Sequence, residues 1–163
     1  MDAQSAEALK ELVLSRSVAA LGTLRDGAPY VSLVLYAPAR DLSGILIHIS
    51  RLAYHTRNIL MDPRISLMIA AAEHDVEDPQ TLPRVSIQGV AEELPRTSAA
   101  ADAAAAAYLA RFPQATTYFE LGDFSFFSLR PRSIRFVAGF GRAFSVTPRQ
   151  LKEICTPDCE HTP

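Results

Sequence analysis

Alternating apolar and polar positions along the chain predict a series of short strands. Runs rich in β-branched and aromatic residues, bounded by glycine, proline, aspartate or serine, are typical of antiparallel sheets. The predicted strands cover residues 18–24, 30–36, 44–49, 64–72, 84–94, 123–130 and 133–138. Asp26-Gly27 separates the first two strands and is a strong signal for a tight hairpin turn. Most strands follow one another without an intervening long helix, so the order indicates a meander rather than a parallel α/β fold.

Three stretches have helical patterns. Residues 3–16 carry apolar side chains at helical spacing, which predicts an amphipathic opening helix. The alanine-rich stretch 98–112 has high helix propensity and is closed by Pro113. A short helix should follow the third strand, with Ser50 as its N-cap, and end before Asp62-Pro63.

These elements predict a mainly β fold with peripheral helices. A small antiparallel β-barrel is favoured, because closing the sheet removes its exposed edges. The length of 163 residues suits a barrel domain over residues 1–146, followed by a short C-terminal helix or tail over 147–163. Gly139-Phe140-Gly141 lacks the third glycine of a dinucleotide-binding loop, so we expect a bend or a close backbone approach there instead.

Composition narrows the functional classes. Hydrophobic residues make up 48% of the chain, enough for a sizeable core. The formal net charge is −2 and no long basic block occurs, which argues against nucleic-acid binding. No run of eighteen apolar residues is present and the first residues are acidic, so we expect neither a membrane span nor a secretory signal, and a cytoplasmic location.

Two cysteines lie near the C-terminus. Cys155 and Cys159, with His161 beyond them, have a spacing that suits a soft metal ion, but a fourth ligand is missing. We therefore predict no metal site. The surrounding threonine, proline and aspartate residues predict a mobile tail instead.

The strongest candidate for a binding site is a cluster of polar donors directly after the third strand. Its members are Ser50, His55, Thr56, Arg57 and Asn58. Free backbone N–H groups at a helix start and the positive end of the helix dipole attract anions, and nearby cationic or neutral donors strengthen that attraction. The cluster therefore predicts a phosphate site. A capped surface helix with solvated side chains would produce the same pattern.

The order of motifs resembles the FMN-binding split barrel of the pyridoxamine 5'-phosphate oxidase-like superfamily, and most closely its haem-utilisation branch, without that branch's C-terminal extension. The segments that carry the resemblance are 20–24, 29–34, 52–59, 62–67, 108–113, 122–124 and 139–143. Among them, His-Thr-Arg-Asn at 55–58 and Gly-Phe-Gly-Arg-Ala at 139–143 are fairly specific when they occur together.

This resemblance implies a homodimer that binds FMN at the subunit interface. The donor cluster would hold the phosphate, and the strand formed by Val31, Ser32, Leu33 and Val34 would run beside the flavin. It also implies that Arg84 lies near the isoalloxazine ring. Arg142, beside Phe140, is placed on the open face of the flavin, where a guanidinium would stabilise the reduced anionic form.

The main functional hypothesis is an FMN-dependent oxidoreductase acting on an unidentified small substrate, in which the flavin supplies the redox chemistry. Pyridoxamine phosphate oxidases carry an Arg-Leu-His-Asp-Arg segment that residues 133–147 lack, which disfavours vitamin B6 oxidation. The alternative is a haem-binding or haem-degrading protein that uses His48, His74 or a second subunit, although a histidine in an apolar strand is also typical of a core. A third hypothesis is a dimeric binding module without catalysis.

Overall fold

The computed structural model describes residues 1–73 and 78–156. The helices are α1 (Ala3–Ser15), α2 (Tyr54–Met61), α3 (Ala99–Arg111), α4 (Thr116–Phe119) and α5 (Pro148–Cys155). The strands are β1 (Val18–Arg25), β2 (Ala28–Leu35), β3 (Ala37–Pro38), β4 (Ile45–Ser50), β5 (Arg64–Ala70), β6 (Arg84–Glu93), β7 (Phe124–Gly139) and β8 (Arg142–Val146). Single 3-10 turns cover Pro79–Thr81 and Pro113–Ala115.

All eight strands belong to one antiparallel sheet, which confirms the predicted mainly β fold with peripheral helices. Its strand order is β2-β1-β5-β6-β7-β4-β3, and β8 pairs with the far part of β7. Strand β2 lies at one end of this order, and β4 lies near the other end, where the short strand β3 pairs only with its first two residues. The sheet curls so that β2 and β4 approach each other, but they do not pair. The curled sheet is therefore a half-barrel with a gap between β2 and the free edge of β4. We call this gap the split.

Residues on the two faces of the sheet enter two separate cores. Alternate positions of β4 show this clearly, since successive side chains of a strand point to opposite faces. Ile45, Ile47 and Ile49 join the main core inside the curl, which α1 and α5 help to cover. Leu46 joins a smaller core beneath α3, and His48 faces the same side, against Tyr108 of α3.

The hairpin turn and the glycine-rich bend are both confirmed. Asp26 and Gly27 have φ values of 51° and 79°, the left-handed pair that a two-residue hairpin loop needs. Residues 139–141 turn β7 into β8, as the expected bend. Both turns depend on residues that tolerate positive φ, so the local sequence was sufficient to predict them.

The two strands predicted at 123–130 and 133–138 form the single strand β7, so that prediction was wrong. Pro131 lies in the middle of β7 and lacks an N–H group, which normally excludes proline from a central strand. Opposite it, the register shifts between Gln88 and Gly89 of β6. This irregularity lets β7 continue past the proline, because the residue facing it carries no side chain.

The predicted N-cap was also wrong. Helix α2 begins at Tyr54 after Ala53, which makes no side-chain capping hydrogen bond. Ser50 still pairs with Phe124 in the sheet, and its hydroxyl donates to Asp123. Because the strand continues through Ser50, three further residues are needed before the helix can start.

Cys155 does not belong to a mobile tail. Helix α5 begins with a capping box formed by Thr147 and Gln150, and packs beside α1. Leu151 and Cys155 of this helix lie in the main core, and burial raises the pKa of the Cys155 thiol to about 11. A buried neutral thiol is a poor metal ligand. His74, Cys159 and His161 lie outside the described residues.

Across residues 1–73 and 78–156, no helix is both long and apolar enough to cross a lipid bilayer. In the same ranges, no three histidine, cysteine or acidic side chains converge as metal ligands would.

Candidate functional site

A cavity of about 340 Å³ lies in the split between β2 and β4. Helix α2 borders one side, and the segment from α3 to the start of β7 borders the other. Its walls are formed by Leu33, Val34, Leu35, His48, Ile49, Ser50, Ala53, His55, Tyr108, Ala115, Tyr118 and Phe124. The site is therefore mainly apolar, with two imidazoles and three hydroxyl-bearing side chains. We call it the split cavity.

His48 lies among aromatic side chains that contact it from several directions. Its ring is stacked on Phe126 at 4.4 Å between centroids, and the rings of Phe119 and Phe124 lie at 4.6 and 5.2 Å. Tyr108 contacts it edge to face at 5.9 Å. Desolvation, and secondarily the charge of Arg96, lowers the pKa of His48 to about 4, so the imidazole is neutral at pH 7.

We predict that the stability of the protein falls with acidity because of His48. The unfolded chain binds a proton near pH 6.5, whereas folded His48 resists protonation down to about pH 4. The contribution of His48 to the free energy of unfolding should therefore be constant above pH 6.5. It should decline as the pH falls from 6.5 towards 4.

Urea denaturation at pH 7.5 and pH 5 measures the effect. His48→Phe keeps an aromatic ring and removes the titration, so the loss on acidification should shrink in this variant. Burial also lowers the pKa of His55, so part of the loss should remain. An undiminished loss in His48→Phe would show that this imidazole is not its source.

His55 projects from the first turn of α2 and is held by a neighbouring strand. Its Nδ1 atom lies 3.1 Å from the Ser32 hydroxyl of β2. This hydrogen bond crosses from α2 to β2 and fixes the orientation of the ring. Ser50 lies nearby in the cavity wall, but its hydroxyl is bonded to the Asp123 carboxylate. A carboxylate in that position repels a phosphate dianion.

Two other members of the donor cluster are enclosed by the protein. The Thr56 side chain is fully buried, and its hydroxyl donates to the backbone oxygen of Ser50 at 2.6 Å. Asn58 is buried too, and its amide donates to the Thr23 hydroxyl at 3.0 Å. Both residues fasten α2 to the sheet, and neither presents its side chain to the split cavity.

Asn58→Ala should lower the free energy of unfolding by about 1–3 kcal/mol, because it leaves the buried Thr23 hydroxyl without its amide donor. Thr23→Val should cost a similar amount. A double-mutant cycle with urea denaturation tests the pair: the double variant should cost less than the two single variants added together. Strict additivity would show that the hydrogen bond does not stabilise the fold.

Arg57 lies on the other side of α2 from His55. It lines a separate cleft of about 410 Å³ beside the first hairpin, together with Arg25 and Tyr54. The Arg25 guanidinium carbon lies 4.3 Å from the centre of the Tyr54 ring, and that of Arg57 lies 5.9 Å from it. The structure thus divides the predicted donor cluster between two clefts.

Arg84 and Arg142 are not brought to the split cavity within one protomer. Arg84 pairs with Val137 near the other end of β7, and its guanidinium donates to backbone oxygens of the preceding loop. Arg142 donates to Asp2 and Ser5, which fastens the start of α1. Of the predicted strand 31–34, Leu33 and Val34 line the cavity and Ser32 supports His55, whereas Val31 is exposed on the outer face.

Sequence reasoning missed the second wall of the cavity. Tyr108, Ala115, Tyr118 and Phe124 come from the region between α3 and β7. The closely spaced aromatic residues there were a signal, but an aromatic cluster after a helix is equally typical of simple packing. Only the fold shows that these side chains share a cavity with His48.

A half-barrel whose split holds an apolar cavity defines a protein of the split β-barrel class. The sequence model of the family described as "CREG, beta-barrel" matches residues 2–153. The chain therefore belongs to the CREG β-barrel family. The predicted resemblance is supported for the split-barrel fold and for the haem-utilisation branch, whereas the narrower pyridoxamine 5'-phosphate oxidase label is not specific to this match.

Several named relatives are connected with haem. The chain is 31% identical over 146 residues to the heme oxygenase HutZ of Vibrio cholerae, which covers 88% of this chain and 81% of HutZ. It is 39% identical over 119 residues to the chloroplastic heme oxygenase HOZ of Arabidopsis thaliana, covering 73% of this chain but only 35% of HOZ. The structure of a heme-binding protein from Mycobacterium smegmatis matches with a TM-score of 0.82 and 32% identity, covering 94% of this chain and 62% of that one.

Proposed function

We propose that this protein binds haem in the split cavity, as a homodimer, and that haem is its substrate in a haem-degrading reaction. The observation that carries the proposal is the cavity itself, an apolar space with two neutral imidazoles in a chain that resembles HutZ over most of both lengths. This is the alternative reading of the sequence. The comparisons favour it over the main prediction of an FMN-dependent oxidoreductase.

The chemistry of the cavity walls suits a porphyrin better than a flavin phosphate. Leucine, isoleucine, tyrosine and phenylalanine side chains offer a flat apolar ligand extensive contact. A neutral imidazole has a lone pair for iron. In contrast, of the five predicted phosphate donors only His55 and Ser50 line this cavity, and the Ser50 hydroxyl is bonded to a carboxylate.

The size of the cavity points to a second copy of the chain. At about 340 Å³ it lies at the lower end of the range for small-molecule sites, about 300–1,000 Å³. One wall is open, since Leu33 is 71% exposed and Tyr118 is 50% exposed. A partner protomer placed against this wall would enclose a large planar ligand at the interface, as the homodimer hypothesis requires.

An exposed apolar surface continues from that open wall across the outer face of the sheet. We call it the strand patch; it comprises Val18, Val31, Leu33, Leu35 and Met68. The register pairs Val18 with Leu35 and Ala20 with both Leu33 and Met68, so these residues lie on one face. Contiguous apolar surface of this kind is typical of a protein interface, which supports dimerisation through the strand patch.

Bound haem would supply the redox chemistry of its iron, and the chain would bind and shield it. The aromatic wall from α3 to β7 excludes water from one side of the cavity. The Ser32 hydroxyl keeps the His55 ring in place at the entrance. These residues position a ligand, and no protein nucleophile is required.

FMN is the second candidate, and the neighbouring cleft favours it. Arg25 and Arg57 converge there on Tyr54, and two guanidinium groups can bind a phosphate. A flavin with its phosphate in this cleft would lie beside two members of the predicted donor cluster, Arg57 and Asn58, but not beside His55.

Parallel titrations of the purified, cofactor-free protein with haem and with FMN test the proposal. We expect a saturable Soret spectrum at one haem per protomer and no comparable binding of FMN. Adding a reductant in air should then consume the bound haem. Tight FMN binding without haem binding would overturn the proposal, and stable haem that survives reductant and oxygen would reduce it to the non-catalytic binding module.

A further inference from the structure

Resting on the proposed haem function, we propose that His48 is the axial ligand of the haem iron in the split cavity. This assigns a specific role to a residue in an apolar strand that the sequence also presented as an ordinary core histidine. Three features of the fold lead to the assignment: the aromatic contacts of the ring, the freedom of its nitrogen atoms, and its place between two cavities.

Aromatic contacts hold the His48 ring from one side. Phe126 stacks on it at an interplanar angle of 26°, and Phe119 lies against it at 34°. The centroids of these two phenyl rings are only 5.5 Å apart, so they do not sandwich the imidazole, and its remaining surface borders two cavities. The aromatic contacts also restrict the rotamer of the side chain, as a well-positioned metal ligand requires.

Neither His48 nitrogen has a hydrogen-bond partner within the described part of the protein, in contrast to His55, whose Nδ1 is bonded to Ser32. Neither nitrogen is one of the fully buried polar atoms that lack a partner, so both can be reached from the adjoining cavities. A coordination bond to iron would satisfy one nitrogen. The other would then need a second partner, because metal-bound histidines usually donate their remaining N–H group.

His48 lies between two cavities, which can supply a partner for each of its ring nitrogens. On one side it lines the split cavity, and on the other it borders a second cavity of about 240 Å³. Arg96 and Asp102 line that second cavity, so two charged side chains stand in its otherwise mainly apolar walls. A water molecule there could accept a hydrogen bond from the imidazole, so the ring can face iron on one side and a polar space on the other.

His55 lines the same split cavity and is the competing ligand. Its ring sits on the first turn of α2 near the exposed edge of β2, whereas His48 belongs to the central part of β4 beneath the aromatic wall. The two residues therefore form a matched pair for mutation.

The test compares the haem complexes of His48→Phe, His48→Ala and His55→Gln with the wild type, using the Soret band and the ferric EPR spectrum. Phenylalanine preserves the packing, and alanine opens space for an added ligand. We expect both His48 variants to lose the wild-type spectrum and to bind haem at least about tenfold more weakly. Free imidazole should restore the wild-type spectrum in His48→Ala. His55→Gln should keep the EPR signature of a histidine-ligated ferric haem, although we expect its affinity for haem to fall because His55 lines the cavity.

The outcomes separate this inference from the proposed function. If wild-type protein binds no haem, the proposed function fails and the assignment with it. If wild type binds haem and His48→Phe retains the same Soret and EPR spectra, the function stands and His48 is not the ligand. Loss of the wild-type spectrum in His55→Gln alone would assign the iron to His55 instead.

Discussion

Replacing Val31 with arginine should convert the proposed homodimer to a monomer and lower haem affinity at least about tenfold. Val31 is 66% exposed in the strand patch and lies opposite Gly22, so its side chain stands above a flat part of the sheet. In a symmetric dimer the same patch occurs on both subunits. Arginine would then bring two unpaired charges into an apolar interface, which costs several kcal/mol.

Val31 does not itself line the split cavity. The predicted loss of haem affinity therefore depends on the partner subunit completing that cavity. Native mass spectrometry gives the oligomeric state, and haem titration of the same samples gives the affinity. Met61→Arg is the control, since Met61 is 87% exposed on α2 outside the strand patch. A Val31→Arg protein that remains dimeric would exclude this face as the interface, and a monomer with full haem affinity would show that one protomer is sufficient.

Gly89→Ala should destabilise the fold by about 3 kcal/mol or more. A Cβ atom at this position would lie 2.0 Å from the backbone oxygen of Arg130 and 3.2 Å from the Cα atom of Pro131. Backbone atoms of a central strand cannot move aside without breaking the pairing of β6 with β7, and overpacking of this kind is strongly destabilising. The strands concerned also carry the split cavity, because Phe124 of β7 forms part of its wall.

Thermal and urea denaturation measure this effect. Gly122→Ala is a matched control, because a Cβ atom there would meet no heavy atom within 4 Å. We expect the control to retain wild-type stability, and Gly89→Ala to unfold at markedly lower urea concentration. Equal stability of the two variants would mean that β7 can shift freely at Pro131, contrary to the register seen here.

Features set by neighbouring residues were predictable. Asp26-Gly27 forms its turn because both residues tolerate positive φ. Helix α3 starts after Ser98, whose side chain accepts a hydrogen bond from Ala101, and ends before Pro113. The mainly antiparallel sheet also followed from alternation and short connections. The predicted N-cap at Ser50 and the predicted strand break around Pro131 were wrong for the same reason. In both places, pairing with a strand distant in sequence continued a strand that the local sequence indicated should end.

The candidate site was predicted only in part. His55 and the strand 31–34 do meet at the split, joined by the bond to Ser32. Arg57 does not join them, and the sequence contained the reason: residues two apart on a helix point to opposite sides, so His55 and Arg57 of α2 cannot face one cleft. Thr56 and Asn58 were predicted as phosphate donors, but burial turns their polar groups inward to Ser50 and Thr23.

The sequence by itself determined a mainly β fold, the positions of its turns and longer helices, and the short helical segment that follows β4. Each of these depends on propensities and periodicities that act over a few residues. Only the tertiary structure decided which side chains share a cavity. The ring of His48 meets Tyr108, Phe119, Phe124 and Phe126 because strand pairing and helix packing bring together residues as much as 78 positions apart; no short-range pattern encodes such contacts.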